Sequence, residues 1–239
     1  MAINPEVVSS GVFSLIYVII TLTLSFRIIL KYRLVKKKTY LFVGLAWLGI
    51  SRIFWASSIS FVSLLITGKG LPLFPYILIN YPFQSVFLIL WLIGLNDLMD
   101  LSRYKTFIII YQVIVFFFEA IMFYYYITDI SVIAVSVNPV DITLGLITIA
   151  YLLLILGLVL LSGIVFAIEL LQTESPETKL KGKFLLIAFV LFVIGAFLET
   201  FISFPPIRLL LAFSAIMFYI GFMMPESIKK RFLKDIVLD

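Results

Sequence analysis

The chain has 239 residues, of which 63% are hydrophobic and 13% charged, and its net charge is +5. Soluble domains carry about a quarter charged residues and about half apolar ones, so bilayer lipid must be the solvent for much of this surface. No cysteine or histidine is present, which excludes disulfides, thiolate nucleophiles, imidazole-ligated haem, the usual zinc sites and the Ser-His pair.

Crossing a hydrocarbon core of about 30 Å takes roughly 20 apolar residues. Seven stretches meet that length, near 8–30, 40–66, 73–96, 105–128, 140–170, 183–203 and 206–223. The first seven residues hold no Lys or Arg, unlike the n-region of a signal peptide. Arg27, Lys31, Arg33, Lys36, Lys37 and Lys38 follow the first span and read as a stop-transfer anchor. Span two carries Arg52 near mid-depth, and Pro82 inside span three predicts a kink whose freed carbonyl is satisfied by neighbours. Between spans six and seven, Phe204-Pro205-Pro206 predicts a tight re-entry, because proline cannot continue a helix ladder.

Basic residues set the orientation. The first connector, Arg103 and Lys105, Lys179, Lys181 and Lys183, and Lys229, Lys230, Arg231 and Lys234 all fall on one side. Only Lys69 and Arg208 fall on the other. By the positive-inside rule the N-terminus is outside and the C-terminus cytoplasmic, in a multi-pass protein of the cell membrane. The positive charge thus belongs to topology and lipid attraction, not to nucleic acid. Residues 1–224 read as a seven-helix transmembrane domain. In 225–239, Ile228, Phe232, Ile236 and Val237 share one helical face opposite the basic residues, the pattern of an amphipathic interfacial helix. The fold class is therefore an all-α integral membrane bundle.

A charge at mid-bilayer costs at least about 2.5–3.5 kcal/mol on insertion scales, so each needs a reason. Counting at 1.5 Å per residue, Arg52, Gln84 and Glu119 fall near the midplane. An Arg52–Glu119 ion pair with Gln84 bonded to one partner is the expected arrangement; it either fixes helix register or lines a ligand or ion pocket. Asn80 lies one turn from Gln84 on the same face. Glu199 pairs with Arg208 or completes a polar cavity with Asn80. Ser51, Ser57, Ser58, Ser60, Gly163 and Ala167 read as small packing residues. Trp47, Trp55, Trp91 and Tyr124-Tyr125-Tyr126 read as core and interfacial aromatics.

The arrangement is similar to microbial rhodopsins in topology, but residues 206–223 contain no lysine, so covalent retinal is rejected. Asn96-Asp97-Leu98-Met99-Asp100 resembles the first aspartate motif of UbiA-type prenyltransferases, which would make Asp97 and Asp100 ligands for Mg²⁺. The second aspartate-rich loop of that family is missing, since the corresponding loop reads Glu174-Ser175-Pro176-Glu177, and solvated helix-end carboxylates are the favoured reading. No set of catalytic groups is assembled, and no cofactor is expected. With its basic first connector, the Gly44-Leu45-Ala46-Trp47 run and short loops, the layout resembles the seven-helix sensory membrane regions of prokaryotes. That resemblance implies a sensor without an output domain of its own, signalling to a cytoplasmic or membrane protein partner. A transporter and a non-catalytic subunit of a membrane complex are the alternatives. Abundant Ile and Phe without Cys or His fit an archaeal or bacterial origin.

Overall fold

A computed structural model describes residues 4–202 and 204–233. Helix α1 (Pro5–Val35) starts where the Asn4 side chain accepts from the Glu6 N–H at 2.9 Å, with proline in the first turn, and stops at left-handed Lys36. After it come α2 (Lys38–Ile50), a 3₁₀ turn over Ser51–Phe54, and α3 (Trp55–Thr67). Next are α4 (Leu73–Asn80), α5 (Gln84–Asn96), α6 (Lys105–Thr128), α7 (Leu146–Gln172), α8 (Pro176–Phe201), α9 (Ile207–Met223) and α10 (Glu226–Phe232). Six spans, counting α2–α3 and α4–α5 as one each, are long and apolar enough to cross a membrane, and α9 with α10 forms a further apolar pair bent by 83°. This is a helical membrane bundle.

Several boundaries differ from expectation; α8, for one, begins at Pro176 rather than near 183. Span two is not one helix over 40–66, because its ladder tightens to 3₁₀ at Ser51–Phe54. Span five does not start at 140. Ala134–Ser136 (β1) and Ile142–Leu144 (β2) form an antiparallel hairpin, and helix begins only at Leu146. The Asn138 side chain accepts from the N–H groups of Val140 and Asp141 and closes the turn. This hairpin folds over the bundle end that carries the N-terminus. There Ser60 Oγ donates to the Pro139 carbonyl, and Tyr76 Oη donates to the Val140 carbonyl at 2.9 Å.

Aromatic rings fill the interior. Trp47 stacks on Phe218 with centroids 3.9 Å apart, and Trp91 meets Phe189 edge-on while donating to Ser162 Oγ at 3.0 Å. Gly163 admits the Phe189 ring, whose atoms come within 2.5 Å of where a Cβ would stand. Helix α6 buries only Val115, Glu119 and Met122, and turns Phe107, Ile110, Val113 and Phe117 outward, as a lipid-facing helix does.

At the opposite, basic end, Glu177 takes Lys181 at 2.8 Å and Lys229 at 2.6 Å, and Phe232 meets Phe184 edge to face. These contacts dock α10 against the start of α8. Of the expected amphipathic tail, Lys234, Ile236 and Val237 lie outside the described residues.

Candidate functional site

Arg52 and Glu119 do not form an ion pair. Each instead caps one end of the break in span three, between α4 and α5. The chain there passes through Pro82 and through Phe83 in the left-handed region (φ 66°), so α4 ends with carbonyls lacking helical donors and α5 begins with N–H groups lacking acceptors. The Arg52 guanidinium donates to the Ile79 carbonyl from Nε (3.0 Å) and Nη2 (2.6 Å), and to the Pro82 carbonyl from Nη1 (2.9 Å). Buried Glu119 accepts from the Phe83 N–H. A cation thus sits at a helix C-terminus and an anion at a helix N-terminus, each where the helix dipole favours it.

Asn80 returns the service to span two. Its Nδ2 donates to the Ile53 carbonyl at 3.0 Å, within the 3₁₀ turn, and its Oδ1 accepts from the Ala56 N–H at 2.9 Å, in the first turn of α3. Gln84 bonds neither charge, because its Nε2 donates to the Asn80 carbonyl at 2.9 Å. Backbone groups freed by two breaks outbid the opposite charge: in lipid an unsatisfied carbonyl costs several kcal/mol.

A second cluster lies at the amino-terminal end. Arg208, in the first turn of α9 and 3% exposed, lies 2.6 Å from Asp141 Oδ1 and 2.9 Å from Glu199 Oε1. Its Nη1 donates to the Ser10 carbonyl (2.8 Å) and to Ser14 Oγ (2.7 Å) on α1, and the Phe54 ring lies 4.9 Å from its carbon Cζ. Four parts of the chain, α1, the hairpin, α8 and α9, meet on this one guanidinium. Of the two arrangements open to Glu199, pairing with Arg208 is the one observed. Ser57 and Tyr76 share a 2.5 Å hydrogen bond nearby, so Ser57 is more than a small packing residue.

Beside this cluster is a cavity of about 290 Å³, near the lower end of the range for small-molecule sites. Its polar lining includes Asp141, Glu199, Arg208, Tyr76, Tyr81 and Gln84, and its apolar lining Ile53, Phe54, Leu152, Ile155, Leu156, Val159 and Phe192. Trp55 is not in the lining. A smaller void of about 20 Å³ lies between Glu119, Tyr81 and Tyr151.

Of the residues singled out from sequence, Gln84 and Glu199 thus reach the cavity, while Arg52, Asn80 and Glu119 serve the backbone breaks. Asp141, Tyr76 and Tyr81 were missed. Asp97 accepts from Thr39 Oγ1 at 3.1 Å, and Asp100 from the Ser102 N–H at 2.9 Å. The Ser102 side chain and backbone hold the Asp100 carboxyl below its ordinary pKa. Among the described residues no three His, Cys, Asp or Glu come together to hold a metal ion. No protein-family model, curated protein or solved structure matches the chain.

Proposed function

We propose that this is a seven-span sensor- or receptor-like protein of the cell membrane, N-terminus outside, that binds a small molecule in the cavity beside Arg208. The observation that carries the reading is the pairing of a sizeable apolar cavity with a buried ion cluster at one end, the build of a site that orients an amphiphilic ligand. Helix α9 serves as the seventh crossing: its 17 residues reach the lower limit of about 17 for a transmembrane helix. With seven crossings, every basic cluster falls on the cytoplasmic side and the cavity's polar end faces outward. Ligand binding there bears on α1, the hairpin, α8 and α9 together, and the basic face with its docked α10 offers the surface for a cytoplasmic partner.

Native mass spectrometry of gently extracted protein tests this reading. The wild-type chain is expected to carry a small bound molecule, and Ile155→Trp, which fills the apolar half, to lose it while remaining folded. A lone chain carrying nothing counts against the site, and a stoichiometric membrane subunit favours the complex-subunit reading. A second reading, transport, draws support from two adjacent interrupted spans, since irregular backbone at membrane depth lines the paths of transporters.

A further inference from the structure

The charges and hydrogen bonds around the cavity are unevenly distributed. Arg208 spends its fork on the protein: Nε on Glu199, Nη1 on Ser10 and Ser14, and Nη2 between Asp141 and Glu199. Four of its five N–H groups are bonded to the protein, and Nη2 also lies 2.9 Å from Glu199 Oε1, so the fork is largely taken up before any ligand carboxylate or phosphate arrives. Two acidic side chains also face one guanidinium. Tyr76 is committed to Ser57 and Val140, and the Thr200 hydroxyl donates to the Ala196 carbonyl. Among the unused valences are two acceptors. Glu199 Oε2 is buried and has no hydrogen-bond partner among the described residues. Gln84 is 5% exposed and turns its Nε2 to Asn80, and none of the described residues donates to its Oε1. An orphaned buried acceptor is costly and is relieved by a donor. A carboxylate acceptor favours a charged donor most.

We propose that the cavity's ligand carries a protonated primary or secondary amine, placed against Glu199 Oε2 and Gln84 Oε1, on an apolar body that fills the space between α7 and α8. This rests on the reading of the cavity as a ligand site and adds the chemical class. An anionic amphiphile meets two acidic side chains and an Arg208 fork largely taken up by the protein, while a neutral alcohol satisfies an acceptor without the strength of a charged donor.

Isothermal titration calorimetry of the protein in lipid nanodiscs at pH 7 separates these classes, with empty nanodiscs as the partition control. The probes share one apolar body and differ in the head: 3-phenylpropylamine, 3-phenylpropan-1-ol and 3-phenylpropionate. The amine is expected to bind saturably and at least about tenfold tighter than the alcohol, the scale of one charge-assisted hydrogen bond, and the carboxylate not to bind. Glu199→Gln keeps an acceptor for Arg208 but removes the charge, and is expected to bring the amine down to the level of the alcohol. Gln84→Leu removes the second acceptor without touching the ion cluster, and is expected to weaken the amine severalfold even if the first variant folds poorly. Equal binding of amine and alcohol, or tighter binding of the carboxylate, overturns the amine assignment and leaves the ligand site standing. Saturable binding by none of the three overturns both.

Discussion

Replacing Arg208 with methionine is expected to cost roughly 3–5 kcal/mol, the penalty for removing one partner of a buried ion pair and stranding the other. Here two carboxylates are stranded, Asp141 and Glu199, together with the Ser10 carbonyl. For a chain of this size that loss lowers the unfolding midpoint by roughly 6–20 °C, readable by circular dichroism in detergent or nanodiscs. Arg208→Lys is expected to recover little. An ammonium is a point charge and cannot span the acceptors that the planar fork reaches. The triple variant Arg208→Met, Asp141→Asn, Glu199→Gln is expected to regain much of the loss, because the uncompensated charge is gone. If the single variant unfolds at the wild-type temperature, the cluster does not hold the amino-terminal end together.

Arg52→Met is expected to be the second most damaging single change, and far worse than Glu119→Gln. Arg52 supplies the donors for Ile79 and Pro82, and each orphaned buried acceptor costs about 1–3 kcal/mol. Glutamine at 119 keeps an oxygen for the Phe83 N–H, so its cost should stay under about 1 kcal/mol, the net worth of an ordinary hydrogen bond. Had the two residues formed an ion pair, neutralising either would strand the other and the costs would match. Thermal unfolding of the two variants side by side decides between these geometries. Two similar losses would restore the ion pair.

That contrast also shows how far the residues could be read without coordinates. Hydropathy blocks found each long helix, because burial in lipid demands long apolar runs, but helix starts differ by six residues at α7 and seven at α8. Pro82 announced its own kink. The break at Ser51–Phe54 had no such signal: no proline or glycine lies within the turn, and it stands because Asn80 from the neighbouring span bonds its backbone. Depth along a span is one coordinate, and Arg52 and Glu119 share it. What each side chain bonds depends on helix rotation and on backbone groups freed elsewhere, neither of which is written in hydropathy.

Asp141 escaped for a related reason. The stretch Ser131–Leu144 alternates short apolar runs around Asn138-Pro139, a hairpin signature overshadowed by the hydrophobicity of the span that follows. Arg208 did leave a trace. In the N-out topology proposed above it is one of two basic residues on the side where the positive-inside rule depletes them, and it is held there by Asp141 and Glu199.

The most direct test of an outward-facing, acceptor-rich cavity uses the absence of native cysteine. A single Thr200→Cys places one thiol in the cavity lining. Intact cells are then treated with membrane-impermeant methanethiosulfonates, one carrying a trimethylammonium group and one a sulfonate. Labelling from outside, faster with the cationic reagent and slowed by prior addition of 3-phenylpropylamine, is the expected result. Labelling only after permeabilisation, or faster labelling by the sulfonate, would contradict the orientation or the charge of the site.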